Sequence, residues 1–207
     1  IGEVGQQFGV VIVQIPSDRN GVEIATFRED IGSGRRPEGV NYSTIDKDVL
    51  RRDLTINALF YDISKGEVID LVGGLRDIQD QKIRTVGIAA ERFAEDPLRK
   101  LRALRFAGKT GSRLEKETAD AILTDNNLEG VSPERIRDEF KKSIESAKKT
   151  KDYLKMVSEF NLWPVMFPNL QVSENFIESS LWLVQLATIF GNNDRELIKK
   201  EMNRMTF

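Results

Sequence analysis

The sequence contains no cysteine and no histidine. The absence of cysteine excludes disulfides, thiolate nucleophiles and cysteine-ligated metals from these 207 residues. The absence of histidine excludes a Ser-His-Asp triad, imidazole acid–base catalysis and histidine-bound zinc. Carboxylates are therefore the remaining metal ligands and proton acceptors of ordinary pKa, and the metal that they favour is a hard cation, above all Mg2+.

Long apolar runs are also lacking. No stretch approaches the roughly 18 apolar residues that a membrane span needs, and the first residues lack the basic start and apolar core of a signal peptide. We therefore expect a cytoplasmic protein that is not associated with a membrane. The first residue is Ile1 rather than Met, which we interpret as a sequence that begins part way into its gene product.

Neither sign of charge is in clear excess. The chain has 31 Lys and Arg against 33 Asp and Glu, a formal net charge of −2, so any contact with nucleic acid must come from local clustering of basic residues. With 40% hydrophobic and 31% charged residues, the composition is that of a globular protein with one sizeable core or two small domains.

The first part of the chain is rich in strand signals. β-Branched runs over residues 10–15 and 22–27 predict a hairpin whose turn is Asn20-Gly21. Residues 29–43 are rich in glycine around Arg35 and Arg36, which predicts a long mobile loop.

Helical spacing then covers residues 45–56, and a second hairpin is predicted for residues 59–62 and 67–71. From Ala89 onward the apolar period is helical nearly everywhere. Strands followed by helices predict an α+β fold with a boundary near residue 87. The predicted helices are residues 89–95, 97–109, 115–124, 133–148, 150–160, 174–190 and 194–203.

One predicted helix carries a basic stripe. At 100° per residue, Arg99, Arg102, Arg105 and Lys109 share an arc of about 120°, and an adjoining arc is leucine-rich. Residues 96–116 hold seven Lys or Arg against two acidic residues. Such a stripe suits phosphate oxygens, although it is also typical of a solvated helix face.

Two short motifs carry the most chemical information. Residues 51–58 read Arg-Arg-Asp-Leu-Thr-Ile-Asn-Ala, and residues 95–107 read Glu-Asp-Pro-Leu-Arg-Lys-Leu-Arg-Ala-Leu-Arg-Phe-Ala. Guanidinium, carboxylate, hydroxyl and amide groups together suit a ligand with phosphates, a ribose and a base, which is a nucleotide. Structural roles are also open: Asp96 fits a helix N-cap before Pro97, and Glu95 and Arg99 fit an ordinary surface pair.

These motifs, in this order, resemble the tRNA nucleotidyltransferase and poly(A) polymerase family, in its bacterial-type branch of CCA-adding enzymes. The resemblance runs over about 140 residues, and its spacing matches the family. The matching segments are residues 8–11, 23–28, 35–37, 48–58, 70–77, 95–107 and 132–140.

The resemblance implies a mixed-sheet nucleotidyltransferase head, incomplete here, over residues 1–87. A helical neck that recognises the nucleotide base would cover residues 88–148, and a partial helical body residues 149–207. The implied activity is template-independent addition of C and A from CTP and ATP to tRNA 3′ ends, with Mg2+ as cofactor. A poly(A) polymerase and enzymes that add only CC or only A share these motifs.

The resemblance also implies roles for single residues. Arg52, Asp53 and Asn57 would hold ribose and phosphates, and Asp96 and Arg99 would read the base. Glu95 would orient Arg99, while Arg102 and Arg105 would lie near phosphates or RNA. A neck helix beginning at Pro133, with Arg135, Arg137 and Glu139, would brace this site. The basic residues expected to contact RNA are Arg35, Arg36, Lys109 and Arg113.

The metal-binding Asp-x-Asp motif of the family belongs before Phe8, where this chain has only residues 1–7. We therefore expect the main metal ligands outside this chain, and Glu23 resembles at most a supporting third carboxylate. Two other classes of protein stay open from the sequence. One is an inactive nucleotide- or RNA-binding module, and the other is a helical scaffold.

Overall fold

The computed structural model describes residues 10–15, 18–31 and 39–205, and it confirms an α+β fold. Its first element is an antiparallel hairpin of β1 (Val10–Ile15) and β2 (Asp18–Ala25). The prediction that Asn20-Gly21 forms the turn is wrong, because both residues lie inside β2. Gly21 instead has φ +70 beside a register shift, and a Cβ there would lie 2.8 Å from the Val13 carbonyl oxygen.

Strands cover both ends of the glycine-rich segment, where the sequence predicts a loop. Strands β3 (Arg28–Ile31) and β4 (Gly39–Tyr42) pair antiparallel, so residues 29–43 do not form one long loop. Arg35 and Arg36 lie outside the described residues. The next hairpin, β5 (Leu59–Asp62) with β6 (Glu67–Asp70), is confirmed.

The predicted helix over residues 45–56 is wrong in its second half. Helix α1 (Ile45–Leu50) ends early, and a short 3-10 turn follows at Thr55–Asn57. The cause is pairing with a distant segment: the Thr55 amide donates to the Arg84 carbonyl at 3.0 Å, and the Val86 amide donates to the Asp53 carbonyl at 3.1 Å. These backbone bonds keep the chain extended where its apolar spacing is helical.

Helix α2 (Gly74–Gln79) and the short parallel pair β7 (Lys82–Ile83) and β8 (Arg113–Leu114) complete the mixed part of the fold. The remaining described residues are mainly helical. The helices are α3 (Ala89–Glu95), α4 (Leu98–Thr110), α5 (Lys116–Thr124), α6 (Pro133–Ser146), α7 (Thr150–Glu159), α8 (Trp163–Met166), α9 (Trp182–Phe190) and α10 (Arg195–Met205).

The predicted helix over residues 174–190 begins eight residues late, at Trp182. Residues 174–181 are irregular because their side chains serve other elements. Glu178 accepts hydrogen bonds from the backbone amides of Thr150 (2.7 Å) and Lys151 (3.1 Å), which caps the start of α7. Phe176 is buried against Trp163, with the ring centroids 6.1 Å apart.

One apolar core runs from Leu54 and Ile83 through the helices to Met205. At its centre Phe140 of α6 contacts the rings of Tyr153, Trp163 and Phe167. Helix α4 packs against α6 and α7, so the basic helix is fixed from two sides. Among the described residues, none of the helices combines the length and the apolar character that crossing a membrane requires.

Candidate nucleotide-binding site

A cleft of about 510 Å³ lies where the 3-10 turn meets the start of α4 and the first turn of α6. Five arginines against two aspartates give it a positive excess, which suits an anionic ligand. The two sequence motifs therefore meet in space. The lining residues are Arg51, Arg52, Asp53, Asn57, Asp96, Leu98, Arg99, Arg102, Phe106 and Arg135.

Asp53 links the 3-10 turn to α4. Its Oδ1 accepts hydrogen bonds from the Leu54 amide at 2.9 Å and from Asn57 Nδ2 at 3.4 Å. Its Oδ2 accepts from Arg102, with Nε at 2.7 Å and Nη2 at 2.6 Å. The carboxylate thus fixes one polar side chain on each side of the cleft.

Asp96 is held by the chain and by a neighbouring helix. Its Oδ1 accepts from the Leu98 amide at 3.2 Å, but α4 begins at Leu98, one residue later than predicted, and its N-cap residue is Pro97 rather than Asp96. Arg135 of α6 donates its Nη2 to Oδ2 at 2.9 Å and its Nη1 to Oδ1 at 3.4 Å. One side chain thus bonds to the start of α4 and lines the cleft.

Arg99 is oriented by three acceptors. Its Nη1 donates to Glu95 Oε2 at 2.6 Å and to the Arg92 carbonyl at 3.1 Å, and its Nη2 lies 3.5 Å from the Arg51 carbonyl oxygen. The interaction expected between Glu95 and Arg99 is therefore present. Glu95 does not line the cleft itself, and it supports a residue that does.

Arg92 is a residue that sequence reasoning missed. Its Nη1 donates to Glu95 at 2.6 Å and its Nη2 to the Arg52 carbonyl at 3.0 Å, so it ties α3 to the first motif. Burial lowers the pKa of Arg92, and the neighbouring Arg99 charge lowers it further. The i,i+3 spacing of Arg92 and Glu95 was the available signal, but it cannot show the contact with a carbonyl 40 residues away.

Asp48 is a second residue that was missed. The side chain is 2% exposed and accepts hydrogen bonds from both Arg51 and Arg52. Burial alone would raise the pKa of Asp48, but hydrogen bonds from Arg51, the Arg28 amide and Arg52 outweigh it and lower the pKa. The carboxylate is thus stabilised in its charged form directly behind the cleft arginines.

Several predicted site residues are not brought into the cleft. Arg105 donates to Glu139 at 2.5 Å, with only 12% of its side chain exposed. This pair does place α6 as a brace against α4. Lys109 lies over the Phe106 ring at 5.9 Å, and Arg113 is exposed in β8. Glu23 is exposed in β2, opposite Ile12.

The described residues do not fit a metal ion. Within residues 10–15, 18–31 and 39–205, no three carboxylates come together in a way that could hold one. The carboxylates of the cleft, Asp53 and Asp96, are already paired with Arg102 and Arg135.

Comparison with known proteins matches the chain to two family models. Residues 1–84 match the poly(A) polymerase head domain, and residues 112–173 match the probable RNA- and SrmB-binding site of polymerase A. The CCA-adding enzyme of Bacillus velezensis is 43% identical over 149 residues, 70% of this chain and 37% of that protein. Poly(A) polymerase I of Escherichia coli is 34% identical over 181 residues, 81% of this chain and 38% of that protein.

Solved structures agree with these relatives. The Bacillus stearothermophilus CCA-adding enzyme in complex with CTP has a TM-score of 0.68 and 33% identity, covering 77% of this chain and 38% of that one. A tRNA nucleotidyltransferase complexed with a primer tRNA and an incoming ATP analog has a TM-score of 0.74 and 25% identity, covering 99% of this chain and 66% of that one.

The chain spans less than half the length of these curated relatives. The head-domain match precedes the RNA-binding match along this chain, and the resemblance inferred from the motifs is confirmed. The chain belongs to the tRNA nucleotidyltransferase and poly(A) polymerase family.

Proposed function

We propose that the whole protein is a template-independent RNA nucleotidyltransferase that adds C and A residues from CTP and ATP to tRNA 3′ ends. The observation that carries this proposal is the cleft that joins the two motifs. It brings Arg52, Asp53 and Asn57 within one lining with Asp96 and Arg99. The similarity to CCA-adding enzymes supports the same function.

The base preference follows from the chemistry of Asp96 and Arg99. Cytosine and adenine both present an exocyclic amino donor beside a ring nitrogen acceptor, whereas uracil and guanine present a carbonyl at the corresponding position. A carboxylate accepts from the amino group and a guanidinium donates to the ring nitrogen. The pair therefore selects C and A over U and G without a nucleic-acid template.

The rest of the cleft suits the sugar and the phosphates. Asp53 and Asn57 offer polar groups to ribose hydroxyls, and Arg52 and Arg102 offer donors to phosphate oxygens. In the reaction the RNA 3′-hydroxyl attacks the α-phosphate, the bond between the α- and β-phosphates breaks, and pyrophosphate leaves. The chain's own residues hold and orient the nucleotide for this step.

Further parts of the proposal concern the whole protein. It includes Mg2+ dependence, with main ligands other than the described carboxylates, and a cytoplasmic location that follows from action on tRNA. The bounds of the head (1–87), neck (88–148) and body (149–207) stay predictions. RNA contacts at Arg35, Arg36, Lys109 and Arg113, a supporting role for Glu23, and phosphate or RNA contact by Arg105 are proposals of the same kind.

The test is an incorporation assay with the complete protein. Substrates are tRNA lacking its terminal CCA and an arbitrary RNA, with CTP, ATP, UTP or GTP supplied singly and in pairs. Restoration of CCA on the tRNA from CTP and ATP is the expected result. Incorporation of UTP and GTP at the same rate would contradict the proposed base selection.

A poly(A) polymerase is the second candidate within the enzyme class, and the 34% identity to poly(A) polymerase I supports this candidate. Long A tails on the arbitrary RNA would identify this activity. Addition of only CC or only A to tRNA would identify a partial-adding enzyme. Binding of CTP and ATP without any incorporation would instead identify an inactive nucleotide-binding module.

A further inference from the structure

We propose that Asp48 is a positioning residue that presents Arg51 and Arg52 together to the triphosphate of the incoming nucleotide. The proposal rests on the proposed function and assigns a cause to the orientation of the cleft arginines. It also adds Arg51 to the residues that hold the phosphates.

The geometry is a single buried carboxylate between two guanidinium groups. Asp48 Oδ1 accepts from Arg51 Nε at 2.9 Å and Nη2 at 2.7 Å, and Oδ2 accepts from Arg52 Nε at 3.1 Å and Nη2 at 3.0 Å. The Arg28 amide donates to Oδ1 at 3.3 Å, which ties the carboxylate to β3. Each arginine therefore meets its own oxygen through one edge of its planar fork.

The sequence produces this arrangement through local spacing. Asp48 lies in α1, three residues before Arg51 and four before Arg52, and side chains at these spacings lie on the same helix face. Helix α1 ends at Leu50, and Arg51 is its C-cap in the αR conformation. Both arginines consequently fold back toward Asp48 while the backbone turns away toward the 3-10 turn.

Each guanidinium group keeps N–H donors that Asp48 does not use. A guanidinium has five N–H donors, and Asp48 uses only the Nε and Nη2 edge of each. Arg52 is further fixed by its Nη1 bond to the Asn57 carbonyl at 3.1 Å and by the Phe60 ring, 4.6 Å from its Cζ. Both arginines line the cleft, with 29% and 33% of their side chains exposed.

Charge and preorganisation favour a polyphosphate as the occupant. Two arginines and one carboxylate leave a net positive charge, and planar guanidinium forks match phosphate oxygens. Side chains that are already ordered lose less conformational entropy when a ligand binds. We therefore expect Asp48 to strengthen the interaction with each added phosphate, rather than with the base or with RNA.

The experiment compares Asp48→Asn with the wild type in the complete protein. The asparagine keeps the shape but places an amide donor against one guanidinium, so one arginine loses its anchor. Binding of CMP, CDP and CTP is measured by calorimetry, together with KM and kcat for CTP and the KM for tRNA. The KM for CTP should rise at least about tenfold with a smaller change in kcat, and the gain in affinity from CMP to CTP should shrink.

A matched control is Glu201→Gln in α10. Glu201 is 1% exposed and also pairs with an arginine, Arg204, but neither residue lines the cleft. This variant removes a buried carboxylate of the same kind, and the gain from CMP to CTP should stay at the wild-type value. Comparison of the two variants separates nucleotide positioning from the general loss of a buried ion pair.

Three results would overturn the proposal. The first is an unchanged gain in affinity from CMP to CTP in folded Asp48→Asn. The second is an equal loss of affinity for CMP and for CTP, which a merely structural carboxylate would produce. A raised KM for tRNA with unchanged CTP binding is the third. If Asp48→Asn does not fold, Arg51→Gln must itself reduce the gain from CMP to CTP, and an unchanged gain overturns the proposal. A wild type that neither binds nor incorporates CTP would instead contradict the proposed function.

Discussion

Asp53 joins the two motifs that form the cleft, and its loss should affect catalysis more than folding. Asp53→Asn removes the charge that holds Arg102 at 2.6 Å. A charge-assisted hydrogen bond contributes about 1.5–3 kcal/mol, so kcat/KM for CTP should fall about 10- to 100-fold in the complete protein. Steady-state kinetics measures this change.

Asp80→Asn is the control for that experiment. Asp80 accepts from Arg76 at 3.2 Å, but three quarters of the Arg76 side chain is exposed and the pair lies outside the cleft. Exposed pairs contribute little, so kcat/KM should be unchanged. A loss in Asp53→Asn that is no larger than in Asp80→Asn would show that Asp53 does not act on the nucleotide.

Lys100 offers a test of buried charge away from the cleft. Its side chain is fully buried, and its Nζ donates to Asp125 at 3.0 Å and to the Asn127 carbonyl at 2.9 Å. Asp125→Ala leaves the ammonium buried without a carboxylate and should lower the free energy of unfolding by about 2–3 kcal/mol. Lys100→Met removes the buried charge itself and should cost less than about 1.5 kcal/mol. Urea unfolding measures the free energy of unfolding of both variants. A larger loss in Lys100→Met than in Asp125→Ala would contradict this account.

The same pair predicts a dependence on pH. The hydrogen bond from Lys100 lowers the pKa of Asp125 below its usual value. A carboxyl whose pKa is lowered in the folded state stabilises the protein fully above its unfolded-state pKa of about 3.9. This stabilisation is lost as the pH falls through the folded-state pKa. The difference between wild type and Asp125→Ala should therefore be constant from pH 5 to 7 and shrink below about pH 4. A difference that is still constant at pH 3 would contradict the pairing.

At the scale of elements, the spacing of apolar residues correctly predicted the helices and strands that form through local interactions. The hairpin of β5 and β6 and the helices from α3 to α7 follow their apolar periods. The errors at residues 51–56 and 174–181 have one physical cause, which is pairing with distant parts of the chain. Asp53 and Thr55 bond to the segment 84–86, and Glu178 caps α7. No period within ten residues contains that information.

The candidate site shows the same contrast between local interactions and contacts with distant parts of the chain. The resemblance implied that Arg52, Asp53, Asn57, Asp96 and Arg99 belong to one site, and all five line one cleft. The helical arc also predicted Arg105 as part of the stripe. Its pairing with Glu139, 34 residues away, depends on how α6 packs against α4. Helix spacing gives the face of a residue but not the partner that meets that face.

Helix α2 supports the 3-10 turn that carries Asn57. A Cβ on Gly74 would lie 2.3 Å from the Thr55 carbonyl oxygen, a backbone atom that cannot move without shifting the turn. Gly74→Ala should lower the free energy of unfolding by about 1–3 kcal/mol and also raise the KM for CTP. Chemical unfolding and steady-state kinetics measure the two effects.

Gly130→Ala is the matched control for this element. Gly130 has φ +75, so alanine is strained there, but a Cβ would meet no atom within 4 Å and the residue does not line the cleft. The free energy of unfolding of Gly130→Ala should fall by about 1 kcal/mol, while the KM for CTP stays unchanged. If both variants change the KM alike, loss of stability rather than displacement of the turn explains the effect of Gly74→Ala.

At the scale of the molecule, the main apolar core joins the cleft to the helical part, and a second, smaller cluster consists of Val49, Ala58 and Val86. That core extends from Leu54, next to Asp53, to Met205 in the last helix, and α6 contributes Arg135 to the cleft and Phe140 to the core centre. A ligand that binds only the folded state adds RT ln(1 + [L]/Kd) to the stability of every segment that unfolds with its site. Binding at the cleft should therefore stabilise helices that never touch the nucleotide.

Hydrogen exchange with and without CTP tests this coupling in the complete protein. At 100 times Kd, amides in α4, α6 and α7 that exchange through global opening should each gain about 2.7 kcal/mol of protection. The turn between β5 and β6 is an internal control, because Ile63 is 88% exposed and local opening exchanges such amides without the core. Protection confined to residues 51–57 and 96–106, with α7 unchanged, would mean that the cleft unfolds separately from the helical core. An equal gain across α4, α6 and α7 instead requires the core that joins Leu54 to Met205.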